Sequence, residues 1–503
     1  MKKVIFILFF CVVALNHAVS QNAWDAMRLS QQYAGGTARS LSMSGAFGAL
    51  GGDLSTLTTN PAGVAVYRGS EFAFTPALSF TNNNATLYNS PNFKENMARF
   101  NFSNIGYIYT WNSYRDKGVQ SVTFGMAYNR LNNFSSDAYI DTRVGSSMMN
   151  EFVWNANGGE SGIPLPDNAL DTHYERLAYD TYAIDYDNNS TPPVYYNDYI
   201  NRANNFSDQP MKRTMGYRGG IGEYAFSLGA NISNQVYIGA TWGIDDVTSE
   251  EFFTHEERPE FNYLNNFIFK SRYLIKGWGM NFKTGVIYRP INLIRIGAAI
   301  HTPTRYWLNS ELTTSMETFF NTSPDNKADH FYSETDLPSE NRFKLISPWR
   351  YMLSAAIVVG SFGLVSCDAE FVDYSAAKFL PQSEFGIPMN EDIANGYRNT
   401  VNLKAGAEFR LGDISLRGGV AHYGTPHRDE VIKNDDFENR GTISYSGGIG
   451  FRRSNFYMDA AYIYTQYAKY HYSMYDDPYN DGQVRAVLQD TNHKIAVTVG
   501  FKF

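Results

Sequence analysis

From His493 to Phe503 the large apolar residues fall on alternate positions, Ile495, Val497, Val499, Phe501 and Phe503, with small or polar residues between them. Period-two alternation gives an extended strand one greasy face and one polar face. The pattern recurs in pairs joined by short polar connectors. Phe456, Met458, Ala460, Tyr462 and Tyr464 answer Tyr445, Gly447, Ile449 and Phe451 across Arg453-Ser454-Asn455. Val401, Leu403, Ala405, Ala407 and Phe409 answer Ile414, Leu416, Gly418 and Val420 across Gly412-Asp413. Trp278 to Tyr288 and Ile294 to Ile300 flank Arg289-Pro290-Ile291-Asn292, and Tyr224 to Ile232 turns through Ser233-Asn234-Gln235 into Val236 to Trp242. Phe72 to Phe80 gives a first strand, Phe100 to Trp111 a second whose phase changes near Ser103 as at a bulge, and Val122 to Tyr128 a third. The apolar run from Tyr351 to Cys367 reads as a hairpin, because Gly360, Ser361 and Gly363 interrupt it. Strands near 342–359 and 363–374 then bring the number to about fourteen.

The connectors alternate in length. Long ones cover about 83–97, 132–213, 246–271, 303–341, 375–397, 424–440 and 466–489, with 132–213 and 303–341 the longest, and the six between them are short. This predicts an all-β protein: a transmembrane antiparallel β-barrel spanning 69–503, long loops outside, short turns and both termini in the periplasm.

Composition agrees. The chain has 503 residues with 36 Tyr and 35 Phe, yet only 18% are charged. A mean hydropathy of −0.36 excludes a bundle of apolar helices, whereas alternating strands average to such a value. Residues 1–20 read as a secretory signal peptide: Lys2 and Lys3, an apolar stretch from Val4 to Leu15, and Ala18-Val19-Ser20 before Gln21. Its removal leaves Cys367 as the sole cysteine, so neither an internal disulfide nor a cysteine metal cluster is expected. Loss of Lys2 and Lys3 takes the net charge from −8 to −10, which offers nucleic acid no basic face. Export plus a barrel points to the outer membrane of a Gram-negative cell and to contact with its lipid. The terminal Phe503 resembles the end of bacterial outer-membrane barrels, the segment that the barrel assembly machinery recognises.

Residues 21–68 carry no strand pattern. They hold Gly35-Gly36, a small-residue run from Ser42 to Gly52, then Asp53, a Ser/Thr-Leu stretch, and Asn60-Pro61-Ala62-Gly63. Small residues pack backbone closely in a confined space, Asp53 suits a helix cap, and Pro61 suits a helix stop. The segment is expected to plug the barrel. In these motifs, over residues 37 to 68, the chain resembles the FadL/TodX-type outer-membrane transporters of long-chain fatty acids and aromatic hydrocarbons. The resemblance implies a fourteen-stranded barrel, an N-terminal hatch gated near Asn60, Pro61, Ala62 and Gly63, and a kink in the third strand, for which Gly125 is the candidate here. The polar 132–213 loop, with its Tyr182-Ala-Ile-Asp-Tyr-Asp-Asn-Asn stretch, departs from that family's apolar outer groove.

If apolar side chains face lipid, Asp368, Glu370, Lys404, Glu408, Arg410 and Arg417 face the lumen, where mixed charges read as an interstrand ladder rather than an acid/base pair. No catalytic set or cofactor motif emerges: only His422 and His427 among the histidines sit at metal-ligand spacing, and they read as strand-end and loop residues, while the glycine runs at 219–222 and 447–450 lack the helix a phosphate loop needs. Tyr107, Tyr109, Trp111, Trp349, Tyr351, Tyr462 and Tyr464 are expected in interfacial girdles. Two functions fit a non-enzymatic barrel. One is passive transport of a hydrophobic small molecule such as a long-chain fatty acid. The other is a protein-binding shuttle or scaffold in secretion, whose outer loops hold secreted or surface proteins.

Overall fold

A computed structural model describes residues 23–87, 92–113, 117–197, 209–259, 264–321, 329–335, 338–380, 386–428, 441–479 and 482–503; the signal segment 1–20 lies outside them. The alternating segments form β1 (Glu71–Leu87), β2 (Phe93–Asn112), β3 (Val119–Asn133, continued as Ser136–Val144), β4 (Gln209–Ile232), β5 (Val236–Glu257) and β6 (Leu264–Tyr288). Next come β7 (Ile294–His301, continued as Arg305–Phe320), β8 (Ser339–Ile346, continued as Arg350–Val359), β9 (Gly363–Asp373) and β10 (Asn399–Leu411). The last four are β11 (Ile414–Tyr423), β12 (Thr442–Arg453), β13 (Phe456–Gln466, continued as Tyr470–Asp477) and β14 (Gly482–Lys502). Consecutive strands pair antiparallel, and β14 returns to β1 from Glu71↔Lys502 to Leu87↔Ala486, which closes a fourteen-stranded cylinder. Closure pairs the strand edges around the cylinder except along Phe93–Ser103 of β2, and such closure is the condition for a sheet to cross a membrane. Outward side chains such as Leu228, Trp242, Leu353, Leu403, Ile449 and Phe501 are exposed and make the apolar belt. The bulge at Ser103 is present: Thr75 pairs with Asn104 and Pro76 with Phe102, so Ser103 is skipped.

The strands run further than the hydrophobic pattern does. Much of 246–271 and of 303–341, expected as loop, is ladder: β5 pairs with β6 out to Glu257↔Phe267, and β7 with β6 out to Phe320↔Leu264. Beyond the membrane the outward face no longer has to be apolar, so alternation fades while backbone pairing continues. Ion pairs replace grease there, Arg272 to Glu250 at 2.6 Å and Lys270 to Glu317 at 2.8 Å.

Three helices lie at the end with the long connectors or inside the cylinder's mouth, after two in the N-terminal segment: α1 (Ala23–Ser30), α2 (Ala38–Leu41), α3 (Met148–Ala156), α4 (Glu175–Asp180) and α5 (Gly386–Gly396). The polar 132–213 connector therefore contains an ordered insertion. Ser147 caps α3 by accepting from Met149 N at 3.1 Å. Met149, Phe152 and Val153 are buried in one cluster with Phe267 and Phe269 of β6 and Ala486 and Leu488 of β14. Those strands stand on different sides of the cylinder, so the insertion lies across its mouth. Glu257 and Asp477 bolt it down, accepting from Met148 N at 2.8 Å and Asn150 Nδ2 at 3.1 Å.

Candidate functional site: the plugged lumen and the pocket above it

Residues 36–65 are almost wholly buried inside the barrel. Asp53 caps a single 3-10 turn, Leu54–Leu57, by accepting from Ser55 N at 3.0 Å, and Thr37 Oγ1 donates to the same carboxylate at 2.8 Å. Asn60 caps a second, Pro61–Val66, so Pro61 starts a turn rather than ending one, as its fixed φ and missing N–H favour. The Asn60 amide ties the segment together and to the wall: Oδ1 accepts from Ala62 N at 3.1 Å, and Nδ2 donates to Gly48 O at 2.6 Å and Val286 O at 3.4 Å. His301 of β7 meets Thr59 O at 2.7 Å.

The wall makes room for this backbone by lacking side chains. A Cβ on Gly239 would stand 2.2 Å from Pro61 O, one on Gly285 1.9 Å from Asn60 Oδ1, and one on Gly297 2.4 Å from Gly48 O. Gly448, within one of the glycine runs, lies under Ser42 in the same way. Gly125 also faces the plug, near Leu57, while the register shifts of β3 lie between Val119 and Ser121 and between Arg130 and Asn132.

The lumen charges form a ladder, and it grips the plug. Glu408 accepts from Arg417 and Arg410 at 2.7 Å each and from Arg39 of α2 at 3.0 Å, and Arg417 reaches Asp459 at 2.6 Å. Asp368 accepts from Gly48 N at 2.9 Å. Glu370 pairs with Arg350 at 2.9 Å, and Arg350 also donates to Ser30 O at the end of α1. Lys404 lies over the Tyr423 ring at 5.7 Å. Glu408 thus carries three guanidiniums, which suits a structural clamp.

Above the plug is a cavity of about 500 Å³ lined by aromatic and amide side chains, among them Trp24, Tyr33, Tyr217, Tyr423, Tyr467 and Tyr470. α1 forms its floor, held by Tyr33 N to Leu131 O at 3.2 Å and Asn132 Nδ2 to Gln31 O at 3.0 Å. A smaller cavity of about 70 Å³ shares Tyr33, Asn132, Asn492 and Tyr467 with it and reaches Asn101 and Arg130. There the backbone ladder is interrupted, although Phe93 still meets the Tyr139 ring at 6.2 Å. β3 pairs with β2 only between Asn104↔Asn129 and Asn112↔Ser121, and among the described residues no pairing joins Phe93–Ser103 of β2 to the continuation of β3. The polar groups at the foot of this break are Asn104, bonded to Asn129 at 2.7 Å, and Lys494, donating to Ser103 at 3.3 Å.

The N-terminal segment fits the expected plug, and the structure brings Asp368, Glu370, Lys404, Glu408, Arg410 and Arg417 together on the wall beside it. Sequence reading missed the pocket, whose residues come from α1, β1, β3, β4, β10 to β14 and their connectors, and it placed His427 in a loop without its partner, the Trp24 ring stacked 6.1 Å away. The one available signal was α1 itself, where Trp24, Met27 and Arg28 recur at helical spacing within a segment read as irregular.

Neither a family model nor a curated protein matches the chain. Among solved structures, a FadL homologue from Pseudomonas aeruginosa superposes with a TM-score of 0.54 at 12% identity, over 94% of this chain and 100% of that one. The Pseudomonas putida toluene transporter TodX gives 0.51 at 11% identity, over 95% and 100%. The fold is that of the FadL/TodX-type barrels, shared along nearly the whole length of both chains.

Proposed function

We propose that this barrel works in the outer membrane as a passive channel for hydrophobic small molecules, long-chain fatty acids and aromatic compounds being the ligand classes to test. The observation that carries the reading is an aromatic pocket above a bolted plug that shares lining residues with a narrower cavity reaching Asn101 and Arg130, beside the stretch where β2 and β3 are not paired. A ligand taken up under α3 and α4 reaches the bilayer sideways through that break, driven by its gradient. Asn60, Pro61, Ala62 and Gly63 then act as the hatch anchor and the ladder of Asp368, Glu370, Lys404, Glu408, Arg410 and Arg417 as its clamp, so that water and ions stay out while an apolar solute leaves. The alternative role as a protein shuttle rests on the size of the 132–213 connector. Its helix α3 turns its apolar face into the barrel mouth, which supports gating over display to a partner.

Proteoliposomes test this. Uptake of labelled toluene or oleate should exceed that of empty vesicles, and a disulfide introduced by Asn101→Cys with Arg130→Cys should block it when oxidised and release it when reduced. Uptake unaffected by the oxidised bridge refutes the lateral route, and no uptake at all refutes the channel. Orientation is checked with tags: one near Asn188 should be labelled on intact cells and one at Asn234, in a short turn, should not.

A further inference from the structure

Arg28 is an unusual lining residue. It is 7% exposed, and its Nη2 reaches Asp25 Oδ1 at 3.2 Å while the guanidinium lies 4.9 Å from the centre of the Tyr217 ring and 5.5 Å from that of Phe134. Its Nε and Nη1 have no hydrogen-bond partner among the described residues, and the side chain borders the cavity of about 500 Å³. A buried charged donor without an acceptor is costly, so an oxygen supplied by a ligand gains what water has lost there.

The charge around Arg28 decides what kind of oxygen. Asp25 and Glu251 both act on this one guanidinium, against the burial that works to discharge it, and Tyr217 OH donates to Glu251 at 3.2 Å. Asp490, which also lines the cavity, is held by Asn83 at 2.6 Å and Ser136 at 2.8 Å. Two carboxylates therefore already compensate the Arg28 guanidinium, and a third lines the cavity. Lys469 and Arg485 line the cavity too, but both are exposed, where water and salt screen them. A carboxylate head entering beside Arg28 meets net repulsion; an uncharged oxygen does not.

The remaining lining selects a ring. Trp24 and Tyr470 lie 5.6 Å apart at 30°, His427 lies 6.1 Å from Trp24, and Gln31, Asn132 and Asn492 add amide groups, whereas aliphatic side chains are few. Such a wall recognises an aromatic face and its substituents by stacking and hydrogen bonding. Resting on the channel reading, we infer that the cavity takes a neutral oxygen-bearing aromatic molecule, its ring against Trp24 and Tyr470 and its oxygen accepting from Arg28, in preference to a fatty-acid carboxylate.

Calorimetry on the full-length refolded barrel tests this with 4-hydroxybiphenyl, biphenyl and oleate at a pH where the phenol is neutral. The phenol should bind most tightly, and in an Arg28→Met variant that still migrates as a folded barrel its advantage over biphenyl, at least about tenfold for a lost bond to a charged group, should be erased. If the variant does not fold, the comparison of phenol with biphenyl on the native chain decides alone. Equal binding of the two, or oleate binding most tightly, overturns the inference and leaves the channel standing. Absence of binding by all three removes both.

Discussion

Substituting Gly239 and Gly285 together by alanine should unseat the plug without touching the barrel. The two glycines face each other in the β5–β6 register, directly under the turn that begins at Asn60. The new methyls would stand 2.2 Å from Pro61 O and 1.9 Å from Asn60 Oδ1, against about 3.5 Å for relaxed heavy-atom contact. Pro61 O is backbone and cannot swing aside. Asn60 can, but only by giving up its bonds to Ala62 N and Gly48 O. Overpacking costs about 1 to 3 kcal/mol per site and a lost hydrogen bond about 1 kcal/mol. A combined penalty of about 4 kcal/mol shifts the docked plug toward release on the order of 1000-fold. A fourteen-stranded wall encloses more space than its own side chains fill, so release opens a water path. Single-channel recordings in planar bilayers should show larger and longer openings for the double variant. Gly418→Ala is the control, since its methyl meets nothing closer than Ser446 O at 3.9 Å. Conductance equal to that of the native chain, in a variant that still migrates as a folded barrel, would show that the plug is not held at this wall.

Replacing Phe501 and Phe503 by Ser should reduce insertion, seen as less heat-modifiable barrel in the membrane fraction, because Phe501 packs on Phe456 and Phe503 on Tyr107; normal insertion would separate assembly from this terminus. Glu408→Ala should cost about 3 to 5 kcal/mol, the effect of stranding buried partners, because Arg39, Arg410 and Arg417 share that carboxylate; an unchanged unfolding transition would show that the clamp adds nothing. The insertion across the mouth should loosen as pH rises. Burial pushes Glu151 and Glu175 up to about 7, so their contribution is complete below the ordinary carboxylate range and is lost as pH climbs through 7. Hydrogen exchange over 148–180, corrected for the intrinsic rate, should be faster at pH 8 than at pH 6, and Glu151→Gln should flatten the difference; equal protection in the native chain at both values contradicts the argument.

The membrane-spanning part of the fold was legible because lipid imposes its demand residue by residue. Leu228, Leu353 and Ile449 must face outward, and each sits in a run where apolar residues take every second position. Where the strands leave the membrane the demand disappears. Glu250, Arg272 and Glu317 hold the outer ladder through ion pairs and backbone bonds, neither of which leaves a period in the sequence, so 246–271 and 303–341 looked like loop. α3 was concealed differently. Met148, Met149, Phe152, Val153 and Ala156 keep helical spacing, but the surrounding Asn, Asp and Tyr residues dilute the signal over an eighty-residue window.

The site divides along the same line. The charge ladder could be read because its members sit on neighbouring strands, and a period of two puts Asp368, Glu370, Lys404, Glu408 and Arg417 on one face by local geometry alone. That Arg39 and Gly48 complete it depends on where a strandless segment lies inside a closed cylinder, which no local period encodes. The pocket is further removed still, for Trp24 meets Tyr470 across 446 positions of sequence only because closure of β14 onto β1 brings the two ends of the chain together around α1. The glycines of the wall hold the remaining information. Read singly, Gly239, Gly285, Gly297 and Gly448 look like ordinary strand glycines. Read on the barrel, their missing side chains trace the path of the plug, and that trace explains why a wall of alternating strands tolerates so many residues that weaken a strand.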